Sequence, residues 1–206
     1  MGVPVLILGE SGSGKSCSLR NLDPNTTAIF NVAGKPLPFR AKFPYVLQNA
    51  TYPKIISSLR KGQFKRYVID DSQYLMAFEE FARAGETGYK KFTDMATNFY
   101  NIIRFVSDET PPDTLVYFLH HTDTTDDGRI KAKTVGKMID SKLTLEGLFS
   151  IVLRCHVDKK RHYFTTQSDG MDTCKSPMEM FPDEIDNELK LVDDTIRDYY
   201  KDYWNE

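Results

Sequence analysis

The octapeptide Gly9-Glu10-Ser11-Gly12-Ser13-Gly14-Lys15-Ser16 carries the spacing GxxxxGK[ST]. Glycines at these places let the backbone curl so that successive N–H groups point inward at phosphate oxygens. A lysine at the seventh position reaches β- and γ-phosphates, and the serine after it offers a hydroxyl to Mg2+. The contact run expected for a nucleotide is Gly9, Glu10, Ser11, Gly12, Ser13, Gly14, Lys15 and Ser16, extended by Cys17. Glu10 lies near the place of a γ-phosphate, although a solvated loop residue is the preferred reading of it. The motif needs a strand before it and a helix after it. The apolar run Val3 to Leu8 and the segment Lys15 to Leu22 supply both, and the helix start adds its positive dipole end.

A second apolar run, Tyr67-Val68-Ile69, ends in Asp70-Asp71. A strand that ends in an acid, about 55 residues after a phosphate loop, is where Mg2+ is held. Asp70 takes that role through water, because Mg2+ keeps several waters and few protein ligands. Asp71 stands where many ATPases place a glutamate that orients the attacking water. As the shorter acid it either does this or caps the following helix. A third strand ends in His120-His121-Thr122-Asp123. Side chains alternate across a strand, so one of the two histidines faces the nucleotide and the other does not. His120 is the preferred one, with His121 as the alternative, in the role of sensing the γ-phosphate or placing water. His156 and His162 flank a later turn and read as solvated.

Arg129, Lys131, Lys133 and Lys137 crowd nine residues of a polar stretch. Two functions compete for them with a plain solvated loop. They contact DNA, or one of them reaches a neighbouring subunit's nucleotide site. Lys175 is a lone basic candidate of the same kind. The aromatic residues, 12% of the chain, are spread over all segments. Tyr89, Phe92, Phe99 and Tyr100 fall at helical spacing and read as core.

The elements that must position these groups are set by periodicity and punctuation. Strands are expected over 3–8, 26–32, 66–70 and 115–121, with a hairpin over 149–157 and 161–167. Helices are expected over 52–60, closed by Gly62, then over 72–84, 89–106 and 185–200. Gly34 to Pro38 reads as a turn. Strands alternating with helices predict an α/β fold, a mostly parallel sheet flanked by helices with a late antiparallel hairpin. Ligands of such sheets sit at the carboxyl ends of the strands, where the phosphate loop, the paired acids and the paired histidines all fall.

Composition sets the outer limits. The 206 residues suit one domain, and 40% hydrophobic with 27% charged residues is ordinary globular usage. Three cysteines without CxxC spacing argue for a reducing compartment. No apolar run spans a membrane, the amino terminus lacks the features of a signal peptide, and Leu6 rules out the myristoylation pattern. A soluble cytoplasmic protein is the expectation. The formal charge is −2, but residues 183–206 hold nine acids and three bases, a net of −6, which leaves +4 on the other 182. A mildly basic body with an acidic helical tail packed on it is compatible with a nucleic-acid partner.

The order of the motifs, from the loop 9–16 through VIDD at 68–71 and the His120-His121 strand to GLFSIVLR at 147–154 and DGMDTCKSPMEMF at 169–181, resembles small phage-encoded ATP-binding proteins. These look like a RecA core without additions and are related to AAA-type ATPases. The resemblance covers nearly the whole chain. It implies one RecA-like domain, ATP with Mg2+, and self-association with nucleotide near subunit interfaces. It also implies single-stranded DNA as partner, a role in phage recombination by annealing or strand exchange, and room for a single-stranded DNA-binding protein as a further partner. Two other readings stay open. One is a nucleotide or small-molecule kinase, for which Arg129 is the sole arginine in a plausible lid. The other is a nucleotide-gated binding module with negligible turnover.

Overall fold

The structure is a computed structural model that describes residues 1–135 and 143–204. In chain order the strands are β1 (Val3–Leu8), β2 (Thr27–Asn31), β3 (Val46–Gln48), β4 (Arg66–Asp70), β5 (Leu115–His120), β6 (Thr122–Thr124), β7 (Ile130–Ala132), β8 (Ile151–Asp158), β9 (Arg161–Thr165) and β10 (Glu184–Asp186). The α-helices are α1 (Tyr52–Lys61), α2 (Tyr74–Ala82), α3 (Lys90–Glu109) and α4 (Leu189–Trp204). Eight strands form one sheet in the order β10-β9-β8-β1-β5-β4-β2-β3, and β6 pairs with β7 in a small separate hairpin.

Six neighbouring strands, from β8 to β3, run parallel, and β9 and β10 add an antiparallel edge. The parallel strands are apolar on both faces because both faces are covered. In β1, Leu6 and Leu8 join Phe30, Tyr67, Phe118, Phe99 and Ile102 on the side of α1, α2 and α3. Val5 and Ile7 join Val68, Tyr117, Leu153, Leu189 and Ile196 on the side of α4. This arrangement sets β5 between the strand that leads into the glycine loop and the strand that ends in Asp70. All three end at the same edge of the sheet.

The α1 helix closes on Gly62, which has φ 60 and donates its N–H to the Leu59 carbonyl at 3.0 Å. The expected helix after the glycine loop is different. Only a six-residue 3-10 segment forms, Ser16–Asn21. Its Ser18 hydroxyl donates to the Lys15 carbonyl at 2.6 Å, in competition with helical backbone pairing. Leu22 is already extended, just ahead of Asp23-Pro24. A helix dipole therefore contributes less here than a full helix would. The basic stretch also differs from a plain loop. Residues 122–132 form the β6–β7 hairpin, tied down where Ala132 N–H donates to Glu146 Oε1 at 2.7 Å and Ile130 N–H to the Met171 carbonyl at 2.8 Å. The final helix starts later than the periodicity implies, since 184–186 pair with β9 instead. Among the described residues no helix is long and apolar enough to cross a membrane.

Candidate nucleotide-binding site

The carboxyl ends of β1, β2, β4 and β5 surround a cleft of about 440 Å3, within the range of small-molecule sites. It is lined by Glu10 to Gly12, Gly14 to Cys17, Lys35, Asp70, Asp71, His121 and His162, among others. The glycine loop forms its floor. Gly12 and Gly14 have φ 79 and 103, a region that favours glycine. At Gly14 a Cβ would also lie 2.7 Å from His162 Nδ1. Glu10 is exposed at the rim, as a solvated loop residue would be.

Lys15 is buried, and its ammonium donates to the Gly9 carbonyl at 2.7 Å and the Glu10 carbonyl at 2.8 Å. Burial pulls its pKa down to about 8, against the opposing charges of Asp71 and Asp70. An ammonium has three donors, so the two carbonyls leave one for a ligand. The outer side of the loop is held by the Ser13 carbonyl, which accepts from Cys155 Sγ at 2.8 Å and from His162 Nδ1 at 2.7 Å. Asn187 Nδ2 donates in turn to Cys155 Sγ at 2.8 Å. Burial pushes the Cys155 thiol up to about 11, which keeps it protonated and able to donate. With this carbonyl turned to the protein, the loop has fewer acceptors left to repel an anion. The Ser13 hydroxyl oxygen is buried and has no hydrogen-bond partner.

Ser16 Oγ donates to Asp70 Oδ1 at 2.8 Å. Burial raises the Asp70 pKa, and the Ser16 hydrogen bond lowers it again in part. A serine hydroxyl and a carboxylate at this separation fit the two protein positions in a Mg2+ shell, with phosphate oxygens and waters as the rest. Among the described residues no three His, Cys, Asp or Glu side chains converge on one point, so an all-protein cage for a softer metal is not built here.

Asp71 is neither a free carboxylate nor a helix cap. Its φ is 59, strained for a residue with a side chain. Oδ2 accepts from Lys35 Nζ at 2.7 Å and Oδ1 from His121 Nε2 at 3.2 Å. Burial acts to raise its pKa, but the bonds from His121 and Lys35 outweigh it and hold the carboxyl at about 2. The cap of α2 involves only backbone, with Tyr74 N–H on the Asp71 carbonyl at 2.9 Å.

The two histidines of β5 fall on opposite sides as alternation requires, but with the roles exchanged. His120 continues the face of Val116 and Phe118 toward α3 and is fully buried, its ring 5.5 Å from that of Phe99. Its Nε2 donates to the Lys133 carbonyl at 2.8 Å, and Nδ1 meets Ser72 Oγ at 2.9 Å. Burial lowers its pKa to about 3, so it is neutral and structural. His121 is the one in the cleft. His162, read from sequence as solvated, also lines the cleft and fixes the loop. Lys35 was hidden in a turn. The available signal for it was a Gly-Lys-Pro turn at the end of a strand that neighbours the Asp70 strand.

The basic candidates among the described residues do not line this cleft. Arg129 is exposed and paired with Asp127 at 3.2 Å. Lys133 lines the neighbouring groove with Glu10 and Ser11, while Lys131 sits in β7. Lys137 lies outside the described residues. Lys175 exchanges backbone hydrogen bonds with Val152 at 2.8 and 2.9 Å, an isolated bridge to β8.

No protein-family model matches the chain, and no curated protein is similar to it.

Proposed function

We propose that the chain is a Mg2+-dependent ATP-binding protein of the RecA-like P-loop type that hydrolyses ATP. The observation that carries this is the meeting of Ser16 Oγ and Asp70 Oδ1 at 2.8 Å beside a glycine loop that holds a buried lysine. Bound Mg2+ would supply charge neutralisation for the phosphates, held by Ser16 and, through water, by Asp70. The loop amides and Lys15 bind the phosphate oxygens, and His121 and Asp71 stand where water can be oriented.

The strand order supports the same reading. With β5 between β1 and β4, the tip of β5 reaches the place of a terminal phosphate. The resemblance to phage ATP-binding proteins adds recombination, with single-stranded DNA as partner and self-association as the working state. Cytoplasmic placement in an infected cell belongs to that reading.

A second reading is favoured by one observation. Both Asp71 oxygens are engaged, by Lys35 and His121, which suits a nucleotide-gated binding module with slow turnover. A kinase has less support, because Arg129 is exposed and paired with Asp127 outside the cleft.

The test is Mg2+-dependent ATP binding and phosphate release, with and without single-stranded DNA over a salt series. Lys15→Ala is expected to lower affinity by at least tenfold and abolish release. Unchanged binding and turnover in that variant would remove the site assignment. Stimulation by DNA that fades steeply with salt fits the recombination role. Binding without release fits the module, and phosphate on a small acceptor fits the kinase.

A further inference from the structure

We propose that Lys35 is the cation that engages the terminal phosphate, supplied by the same chain as the phosphate loop rather than by a neighbouring subunit. The inference rests on the phosphate-loop reading of the site and goes beyond it.

The position of Lys35 is built. Gly34 turns the chain sharply after β2, with φ 68 and no room for a Cβ, which would lie 2.4 Å from Asn49 Oδ1. Asn31, buried at the end of β2, donates its Nδ2 to the Lys35 carbonyl at 2.5 Å. Pro36 and Pro38 stiffen the chain on the other side of Lys35 and line the same cleft. The side chain then reaches back over the sheet edge. Its Nζ lies 2.7 Å from Asp71 Oδ2 and 5.2 Å from the centre of the Tyr74 ring. Yet 61% of the side chain remains exposed in the cleft, against 12% of Asp71. Lys35 is thus a held but accessible ammonium facing the loop that carries Lys15.

Charge argues the same way. Among the described residues the lysines and arginines that line the cleft are Lys15 and Lys35, and Asp70 and Asp71 oppose them there. A triphosphate remains negative after it binds Mg2+, so the complex calls for one more accessible cation. Lys15 gives two of its three donors to the Gly9 and Glu10 carbonyls at the base of the loop, which leaves one for phosphate. Arg129, Lys131 and Lys133 do not line the cleft of their own chain, and Lys137 lies outside the described residues. An ion pair with one exposed partner is weak, so Lys35 can trade Asp71 for a phosphate oxygen at little cost. The trade also frees Oδ2 of Asp71 to accept a hydrogen bond from water.

In the hydrolysis, the water oxygen bonds to the terminal phosphorus and the bond to the bridging oxygen breaks. ADP leaves with that electron pair, and the water proton ends on phosphate or solvent. Lys35 makes and breaks no covalent bond. It offsets the charge on the terminal oxygens, which ATP has and ADP lacks.

The experiment uses the full chain, wild type and with Lys35→Met or Lys35→Arg. Calorimetry measures binding of Mg2+ with ATP and, separately, with ADP. Steady-state phosphate release is read for each chain alone and for Lys35→Met mixed with an excess of Lys15→Ala chains. Lys35→Met is expected to weaken ATP binding about tenfold with ADP binding changed less than twofold, and to slow release about 100-fold. Lys35→Arg restores most of both, and added Lys15→Ala chains do not restore release to Lys35→Met. The exposed position of Lys35 keeps the Met variant folded, which circular dichroism checks. An unaltered ATP to ADP preference in a folded Lys35→Met chain overturns the inference, even for a protein that binds without turnover. Restoration of release to Lys35→Met by added Lys15→Ala chains, which keep Lys35 but lack the phosphate-loop lysine, also overturns it, in favour of a group from a second subunit. A wild type that binds neither nucleotide removes the phosphate-loop reading and this inference together, so the two failures are told apart.

Discussion

Gly12 and Gly14 both adopt positive φ, but for different reasons, and the difference is measurable. A Cβ at Gly12 meets nothing within 4 Å, so alanine there costs only backbone strain, about 1–2 kcal/mol. A Cβ at Gly14 would strike His162 Nδ1 at 2.7 Å and Asn187 Nδ2 at 3.3 Å. These two side chains hold the Ser13 carbonyl, one directly and one through Cys155. Gly14→Ala is therefore expected to cost more stability than Gly12→Ala, by about 1–2 kcal/mol, and to lower Mg2+–ATP affinity by a larger factor. Thermal unfolding and calorimetry on the pair check this, and equal losses would contradict the role given to His162. The same comparison marks what was legible. Lys15, Ser16 and Asp70 are readable from spacing within short motifs. His162 and Lys35 come from a distant strand and from a turn, and only the topology of the sheet brings them to the loop. For His120 and His121 the alternation was readable, but not which face of β5 turns to α3. That depends on how Val116 and Phe118 pack.

The elements were legible in proportion to their length and periodicity. The strands β1 and β4 match their expected bounds residue for residue, because a buried parallel strand is built on a continuous apolar run with sharp ends. The three-residue strands β3, β6, β7 and β10 escaped, since such lengths carry no period. The tip of β5 also sets a pH dependence. His120 is held neutral by burial, with its pKa lowered from 6.5 to about 3. The unfolded chain therefore binds a proton that the folded chain refuses. Stability falls as pH drops from about 6.5 toward 3, with a slope of up to about 1.4 kcal/mol per pH unit from this group. His120→Gln keeps a donor for the Lys133 carbonyl and removes the titration. Denaturant unfolding between pH 7 and 5, where few carboxylates titrate, should give a flatter profile for the variant. Parallel profiles would mean that His120 is protonated in the folded state after all.

At the scale of the whole molecule, the acidic carboxyl-terminal segment is less a charged tail than a clamp. Asp193 on α4 is fully buried. Its Oδ1 accepts from Arg66 Nε at 2.8 Å and Tyr117 OH at 2.9 Å, and Oδ2 accepts from Arg197 Nε at 2.8 Å and from Arg66 Nη2. One carboxylate thus joins α4 to β4 and β5, on the side of the sheet away from the glycine-loop cleft. Other acids of the segment are also paired, as Glu188 with Arg20 and Glu184 with Arg161. The net of −6 thus overstates the field that a polyanion would meet. Removing one partner of a buried ion pair leaves uncompensated charge, so Asp193→Ala is expected to cost about 3–5 kcal/mol. At roughly 2–4 °C per kcal/mol for a chain of this size, that is a fall in Tm of about 10 °C. Burial would raise the Asp193 pKa, but the Arg66 and Arg197 guanidiniums lower it below the ordinary 3.8. A carboxyl depressed in the folded state stabilises fully above its unfolded value and loses that contribution as pH falls through the folded one. The gap between wild type and Asp193→Asn should therefore be widest near neutral pH and close below about 3.8 as the wild-type carboxyl takes up its proton. Unfolding curves from pH 7 to 2 measure that gap. A gap that stays constant to the lowest pH would mean that the shape of the residue, not its charge, holds α4 to the sheet.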